Sequence, residues 1–133
     1  MKKYNVGIIG YGWVATAHIP AINASPLARV TAIYSSRPLD SDELSTKHGG
    51  RITAYDDLDK MLANPDIHVV SICSYPYQHK AQLLKAARAG KHIIIEKPLC
   101  LNLKDLREME AALKKAKVKT CVCFECRYSS QFL

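Results

Sequence analysis

A glycine-rich turn near the amino terminus has the spacing of a dinucleotide-binding motif. The segment GIIGYGWVA places Gly10, Gly12 and Ala15 in the pattern G-x-G-x-x-A, between an apolar run and a helical pattern. In such a turn a pyrophosphate approaches the backbone, where amides at the helix start donate hydrogen bonds and add partial positive charge. The alternative is a glycine turn selected only for packing. We predict that the dinucleotide contacts Gly10, Tyr11, Gly12, Trp13 and Val14.

The end of the second predicted strand should contact the adenosine ribose of that dinucleotide. An Asp or Glu here, about twenty residues after the glycines, would bind both ribose hydroxyls. The sequence has IYSSRP instead, with Ser35 at the acid position and Ser36 and Arg37 beside it. Because no carboxylate repels a 2′-phosphate and a guanidinium can bind one, the segment favours NADP over NAD. Three alternatives stay open: Asp40 or Asp42 reaches the ribose, Arg37 stacks on the adenine, or the loop binds nothing.

The segment IIIEKPLC, residues 93 to 100, ends an apolar run in a charged pair. Glu96 and Lys97 follow the fifth predicted strand, so they should lie at the carboxyl edge of the sheet, where doubly wound folds bind ligands. A partly desolvated lysine ammonium there can donate to a hydroxyl or carbonyl oxygen of a substrate. The alternative is a solvated Glu-Lys pair at a strand end. Pro98 makes the preceding peptide bond a candidate for the cis form.

The five cysteines indicate neither a disulfide framework nor a metal centre. Their number is odd, and we predict reduced thiols. Cys121, Cys123 and Cys126 include a C-x-x-C pair, but a structural zinc site needs four ligands, and no second pair or downstream histidine follows. A redox C-x-x-C would normally open a helix. We therefore expect no metal site and interpret the three thiols as small apolar side chains in a core.

Short β-branched runs alternate with helical patterns along the chain. The predicted strands are Tyr4–Ile9, Val30–Tyr34, a short run near Ile52, Val69–Cys73, His92–Ile95 and Lys119–Phe124. The predicted helices are Trp13–Asn23, Ser41–His48, Asp56–Ala63, Gln78–Ala89 and Leu103–Lys117. Asn102 is placed to cap the last helix and Gly90 to end the one before it. This alternation predicts an α/β fold, a doubly wound parallel sheet of about six strands in a single Rossmann domain.

The charge and the apolar runs exclude two classes of partner. The 133 residues carry 19 Lys and Arg against 12 Asp and Glu, a net charge of +7. Much of the excess lies between Lys104 and Lys119, interleaved with acidic residues at helical spacing, which indicates a solvated helix rather than a nucleic-acid-binding face. Neither a long apolar run nor a signal peptide is recognisable. We expect a soluble, cytoplasmic protein that binds an anionic ligand and neither nucleic acid nor membrane.

Four segments together resemble the N-terminal Rossmann domain of the Gfo/Idh/MocA oxidoreductases, a family that includes glucose-fructose oxidoreductase and inositol 2-dehydrogenase. They are GIIGYGWVATAH, YDDLDKMLANPDIHVVSI, HKAQLLKAARAGKHIIIEKPL and VCFECRYSS, in order along essentially the whole chain. The most specific element is A-x-x-A-G-K-H followed by E-K-P. The resemblance implies that Lys97 is the catalytic lysine, that Glu96 lies near the nicotinamide ribose, and that His79 is the histidine that opens the preceding helix.

One loop departs from the family pattern. The usual T-P-N-x-x-H aligns with residues 74 to 79, and the proline is displaced by one position. The resemblance implies that Ser74, Tyr75, Pro76 and His79 belong to the cofactor site, along a backbone path that differs from the family's. For His79 itself, a capping or packing role is favoured over a ligand or general-base role.

The resemblance also implies an enzyme larger than this chain. Family members continue into a second α/β domain that forms the sugar pocket and supplies an acid-base histidine, and this domain is absent here. We therefore expect residues 1–126 to form the NAD(P)-binding domain, residues 127–133 to begin the truncated second domain, and the fragment to be inactive alone. The parent is expected to be a homo-oligomeric NAD(P)-dependent dehydrogenase or reductase of a sugar, polyol or related secondary alcohol or ketone. The alternative is a non-enzymatic NADP-sensing or regulatory protein with the same fold.

Overall fold

The structure, a computed structural model, describes residues 3–131 and contains one sheet of six parallel strands. The strands are β1 (Tyr4–Ile9), β2 (Ala28–Tyr34), β3 (Thr53–Tyr55), β4 (Val69–Ile72), β5 (His92–Glu96) and β6 (Thr120–Cys123). Their spatial order is β3-β2-β1-β4-β5-β6, so the chain changes direction across the sheet between β1 and β4. Such a switch point opens a crevice at the carboxyl ends of the strands. The predicted doubly wound fold is confirmed.

A helix follows each of the first five strands. The helices are α1 (Ala15–Ala24), α2 (Ser41–His48), α3 (Leu58–Ala63), α4 (Pro76–Arg88) and α5 (Leu103–Ala116), and a 3-10 turn (Glu125–Tyr128) follows β6. Three helix starts differ from the predictions. Helix α3 begins at Leu58 rather than at Asp56, because the Asp57 side chain caps it. Helix α1 begins two residues after Trp13, because Trp13 and Val14 form the turn that leads into it. Helix α4 begins at Pro76 rather than at Gln78, because the fixed φ of proline suits the first position of a helix.

The sheet separates two apolar cores. On one face, α1 and α2 contribute Ala15, Ile19 and Leu44 to a core with β-strand residues such as Ile8 and Ile33. On the other face, α3, α4 and α5 contribute a larger set: Leu58, Met61, Leu62, Leu83, Ala86, Ala87 and Met109. Burial of these side chains supplies most of the driving force for folding, at about 25 cal/mol per Å² of apolar surface. The two cores hold the strand ends in fixed register, and the crevice is built on those ends.

Two predicted helix boundaries have the geometry expected from their sequence. The Asn102 side chain accepts a hydrogen bond from the Asp105 amide and so caps α5, as predicted. Gly90 follows α4 with a φ of +70°, the left-handed conformation that ends a helix and favours glycine. The Lys97–Pro98 peptide bond, which the sequence marked only as a candidate for the cis form, is cis.

The cysteines of the last segment do not pack as predicted. All five cysteines are free thiols, but Cys121 and Cys126 are exposed and Cys123 is only half-buried. The core interpretation is therefore wrong for Cys121 and Cys126. The physical reason is position: β6 is an edge strand, and Cys121 lines an open groove beside α1 instead of packing beneath a helix.

None of the helices within residues 3–131 combines the length and the apolar character that a membrane crossing requires. The outer limits of the two predicted domains, residues 1 and 133, lie outside the described residues.

Candidate nucleotide-binding site

A crevice of about 640 Å³ lies at the carboxyl edge of the sheet, across the switch point between β1 and β4. Every residue predicted to bind the cofactor lines it, apart from His79. These lining residues are Gly10, Tyr11, Gly12, Trp13, Val14, Ser35, Ser36, Arg37, Ser74, Tyr75, Pro76, Glu96 and Lys97. Four separate segments of the sequence therefore meet in one concave surface, which is the arrangement that a small-molecule site requires.

The two glycines of the first turn are needed for different reasons. Gly10 has a φ of +91°, and a Cβ there would lie 3.0 Å from the backbone of Ser74, so both conformation and space require glycine. A Cβ at Gly12 would have no neighbour within 4 Å, because Gly12 faces the open crevice. The turn therefore packs against the β4 loop at Gly10 and leaves backbone free for a ligand at Gly12.

The start of helix α1 lies at this crevice, because its N-cap residue Val14 lines it. Val14 is the N-cap residue and makes no side-chain capping hydrogen bond. The first amides of any helix lack intrahelical partners and carry partial positive charge. The Thr16 and Ala17 amides already donate to the Trp13 and Val14 carbonyl oxygens. A phosphate group placed beside Gly12 and Val14 would therefore meet the amides before them, up to that of Ala15.

The segment after β2 links the second strand to the glycine turn. Ser35 is buried, and its hydroxyl accepts a hydrogen bond from the Arg37 amide at 3.1 Å. The Arg37 guanidinium reaches across and donates to the Tyr11 carbonyl oxygen at 2.9 Å. Since a guanidinium has five N–H donors, this contact leaves others available to a ligand.

Helix α2 adds positive charge next to Tyr11. The Tyr11 hydroxyl lies 2.7 Å from His48 Nε2, and the Lys47 ammonium lies 5.6 Å from the centre of the Tyr11 ring. Burial, and then the nearby Lys47 charge, lower the pKa of His48, which favours its neutral form. Lys47 and Arg37 thus supply two cations beside one residue of the glycine turn.

Asp40, one of the two acids that could have served the ribose, is engaged elsewhere. Its carboxylate caps α2 by accepting from the amides of Asp42 at 2.9 Å and Glu43 at 2.8 Å. Neither Asp40 nor Asp42 lines the crevice. The alternative in which one of them replaces a carboxylate at position 35 is therefore not supported by this geometry.

His79 lies beneath the crevice rather than in its wall. Its ring is fully buried, with Nδ1 2.9 Å from the Pro98 carbonyl oxygen and Nε2 3.1 Å from the Ser74 carbonyl oxygen. One imidazole thus contacts both the loop after β4 and the loop after β5. With both ring nitrogens close to backbone carbonyl oxygens, His79 supports the two loops of the site.

Lys97 is held by a partner that the sequence did not single out. Its ammonium lies 3.0 Å from Glu125 Oε1, and both side chains are half-exposed. The hydrogen bond to Glu125, followed by its charge, raises the pKa of Lys97, so the ammonium is the form present near neutral pH. Burial opposes this rise only weakly, because about half of the Lys97 side chain is exposed.

Glu96 lies deeper and contacts helix α1. Its Oε1 is 2.8 Å from His18 Nε2, while its Oε2 accepts from the backbone amide of Lys97 at 3.2 Å. His18 Nδ1 lies 2.9 Å from the buried Ser71 hydroxyl on β4. The carboxylate is therefore fixed from two sides at the base of Lys97.

Some lining residues were missed by reasoning from sequence. They are Tyr34, Cys73, Gln78 and Gln82. Tyr34 and Cys73 are the last residues of predicted strands. Their position at the carboxyl edge of the sheet could therefore have identified them as lining residues. Gln82 lies inside a helix and accepts a hydrogen bond from the Ser74 hydroxyl, a contact that no local sequence signal indicates.

Known proteins with a similar sequence and fold are oxidoreductases. Residues 4–124 match the family model GFO_IDH_MocA, described as an oxidoreductase family with an NAD-binding Rossmann fold. Myo-inositol 2-dehydrogenase of Thermotoga maritima is 32% identical over 127 residues, which are 96% of this chain and 38% of the relative. The crystal structure of a probable dehydrogenase from Thermotoga maritima has a TM-score of 0.84 and 32% identity, over 92% of this chain and 37% of that one.

A third comparison includes a bound nucleotide. A mutant of KijD10, a 3-ketoreductase from Actinomadura kijaniata solved with TDP-benzene and NADP, superposes with a TM-score of 0.88 and 27% identity. It matches 98% of this chain and 40% of its own. The chain thus spans a little over a third of the length of the proteins it matches. It belongs to the Gfo/Idh/MocA oxidoreductase family and forms that family's NAD-binding Rossmann domain.

Proposed function

We propose that the chain binds NADP in preference to NAD and serves a dehydrogenase or reductase of a sugar, polyol or related secondary alcohol or ketone. The observation that carries the proposal is the shared crevice: the glycine turn, Arg37 and Lys97 face one space of about 640 Å³. Residues 1–126 are assigned to this domain and residues 127–133 to the start of the next.

The crevice fits a pyridine dinucleotide at its centre. The backbone at Gly12 suits a pyrophosphate, because a Cβ there would have no neighbour within 4 Å and the N-cap residue Val14 makes no side-chain capping hydrogen bond. A side chain at position 12 would fill that space. The proposed fit therefore rests on the open space beside Gly12 as well as on the G-x-G-x-x-A motif.

The adenosine end of the crevice supports the choice of NADP. Arg37 supplies positive charge in the crevice wall, Ser35 takes the place of an acid, and Asp40 is engaged as a helix cap. Lys47 adds charge behind Tyr11, outside the crevice wall. A 2′-phosphate carries negative charge that a guanidinium binds well, often through two parallel hydrogen bonds. A ribose with two free hydroxyls would find no carboxylate acceptor among the described residues that line this end.

The Lys97 end of the crevice supports the redox role. A bound nicotinamide would supply hydride transfer, which no amino-acid side chain provides. Lys97, protonated and oriented by Glu125, is placed to donate a hydrogen bond to the oxygen on the reacting carbon of a substrate. Glu96, fixed by His18 and by the Lys97 amide, sets the position of the lysine at the end of β5.

The substrate class rests on the relatives. The protein from Thermotoga maritima that is 32% identical is named a myo-inositol dehydrogenase, and the superposed KijD10 is named a 3-ketoreductase. Both names describe chemistry at a secondary alcohol or ketone. An exposed lysine that donates to an alcohol or carbonyl oxygen suits that chemistry.

Calorimetric titration of the 133-residue chain with NADPH and with NADH tests the cofactor proposal. We expect both to bind, NADPH more tightly, and the Arg37→Asp variant to reverse the order. Loss of a charged hydrogen-bond partner costs about 1.5–3 kcal/mol, which is about a tenfold to hundredfold change in NADPH affinity. No heat with either nucleotide would refute the proposal, and an unchanged ratio in Arg37→Asp would refute the phosphate contact alone.

Substitution of Lys97 separates an enzyme from a sensor built on the same fold. In a longer protein that carries this domain, we expect Lys97→Ala to abolish most turnover and to leave NADPH affinity nearly unchanged. The 133-residue chain alone should show no steady-state turnover with inositol or hexoses, because about half of the Lys97 side chain is exposed to solvent in residues 3–131. Robust turnover by this chain, or indifference of the longer protein to Lys97→Ala, would contradict the proposed role.

A further inference from the structure

Three side chains of metal-ligating type converge beside the proposed nucleotide site. His18 lies on α1, Glu96 is the last residue of β5, and Cys123 is the last residue of β6. One ligating atom from each, an imidazole nitrogen, a carboxylate oxygen and a thiol sulfur, lies within 4.8 Å of the other two. We propose that His18, Glu96 and Cys123 form a binding site for Zn²⁺ or a similar borderline divalent ion.

The set of donors selects the class of metal. A thiolate, an imidazole and a carboxylate are the ligand types of Zn²⁺, whereas Mg²⁺ and Ca²⁺ take oxygen ligands. In a tetrahedral zinc site, bond lengths of about 2.0–2.3 Å place ligand atoms roughly 3.3–3.8 Å apart. The cluster needs only small movements to reach this spacing. His18 Nε2 and Glu96 Oε1, now 2.8 Å apart, would separate slightly, and the sulfur would approach.

A supporting residue is already in place for the histidine ligand. A metal-bound imidazole usually donates its other N–H to a second group that fixes the ring. His18 Nδ1 lies 2.9 Å from the hydroxyl of Ser71, which is fully buried on β4. With Nε2 on a metal, Nδ1–H would donate to the Ser71 hydroxyl, which also lies 3.6 Å from Cys73 Sγ. Without a metal, His18 and Glu96 form a hydrogen bond with each other. The experiment must therefore distinguish a metal site from this hydrogen bond alone.

Charge and access also suit a divalent cation. Metal binding would displace the proton of the Cys123 thiol, and the resulting thiolate and the Glu96 carboxylate would balance two positive charges. Lys97 pairs with Glu125. His18 and Glu96 are about 15% exposed, so the site is reachable and mostly shielded from water. The three residues line an open groove with Trp13, Ala17 and Ile94, from which a water or another group can complete the coordination.

Cobalt titration of the metal-free chain tests the site. Co²⁺ substitutes for Zn²⁺ and shows a charge-transfer absorption when a thiolate binds it. We expect this absorption to saturate at one equivalent in the unaltered chain and to disappear on addition of Zn²⁺. Cys123→Ser should lose it, and Cys126→Ser, which removes an exposed thiol outside the cluster, should keep it. No absorption in the unaltered chain, or absorption that survives Cys123→Ser, would overturn the proposal.

Two milder variants keep the test independent of folding. Ser71→Ala leaves the three ligands intact and should weaken Co²⁺ binding about 10- to 100-fold, the usual cost of losing an outer-shell partner. His18→Gln should weaken it further, while the circular dichroism spectrum of each variant stays that of the folded chain. Unchanged cobalt affinity in both folded variants would also refute the site. NADPH binding is measured separately, so this outcome is distinct from failure of the proposed function.

Discussion

At the scale of single residues, we predict that a side chain at Gly12 weakens NADPH binding without changing stability. Its φ is not in the left-handed region, and a Cβ there would meet nothing within 4 Å. We expect Gly12→Val to leave the free energy of unfolding nearly unchanged, because the added Cβ meets no neighbour and the backbone is not in the left-handed region. NADPH affinity should fall about tenfold or more, on the order of 1.4 kcal/mol, because the side chain occupies the space of the pyrophosphate. Urea unfolding and calorimetry on the same samples measure both quantities.

Gly10 is the matched control for this prediction. Its φ is +91°, and the backbone of Ser74 lies 3.0 Å from the position that an alanine Cβ would occupy. We therefore expect Gly10→Ala to destabilise the fold by about 1–3 kcal/mol. Equal loss of stability in the two variants would contradict the separate roles assigned to the two glycines.

At the scale of secondary-structure elements, the Asp40 carboxylate could act as a helix cap or as a ribose ligand. Its side chain caps α2 through the amides of Asp42 and Glu43. We expect Asp40→Ala to lower the free energy of unfolding by about 1 kcal/mol, the usual cost of removing an N-cap. NADH affinity should not change, because the carboxylate does not line the crevice. A loss of NADH binding with unchanged stability would restore the ribose interpretation.

Helices α4 and α5 are joined by an ion-pair network that should respond to pH. Lys80 lies 2.7 Å from Asp105 and 2.6 Å from Glu108. The hydrogen bond from Lys80, then that from Asn102, lowers the pKa of Asp105 below its ordinary value. A carboxyl whose pKa is lower in the folded state contributes stability above its unfolded pKa, and the contribution is lost as the pH falls through the folded pKa.

Asp105→Asn should therefore lose stability near neutral pH and show a smaller further loss below about pH 4, where the unfolded carboxyl titrates. Urea midpoints measured at neutral and acid pH test this. Asp66→Asn, at an exposed aspartate outside the network, should follow the unaltered chain throughout. Parallel curves for Asp105→Asn and the unaltered chain would show that the network adds nothing measurable.

The order and type of the elements could be predicted from sequence because each depends on local pattern. Glycine spacing, the apolar run before Glu96 and the helical period of α5 all lie within short windows. Contacts between distant segments could not be predicted this way. Glu125 beside Lys97, and Cys123 beside His18 and Glu96, depend on how far β6 pairs along β5. The exposure of Cys121 likewise follows from an open sheet face, which no local pattern reports.

At the scale of the whole molecule, net charge should influence cofactor binding. The chain carries +7, and NADPH is an anion. We expect NADPH affinity to fall severalfold as the salt concentration rises from about 0.01 M to about 1 M, because the screening length shrinks from roughly 30 Å to 3 Å. Arg37→Asp should have a shallower salt dependence. Affinity that does not respond to salt would indicate that apolar stacking, rather than charge, dominates binding.

The buried ring of His79 has an evolutionary consequence. One imidazole contacts Ser74 in the loop after β4 and Pro98 in the loop after β5. The His79 ring therefore fixes the distance between these two loops. An insertion or a bulky replacement in either loop would displace the other through that ring. Among homologues, we therefore expect the lengths of these two loops to co-vary wherever this position is a histidine, and to drift independently where it is not.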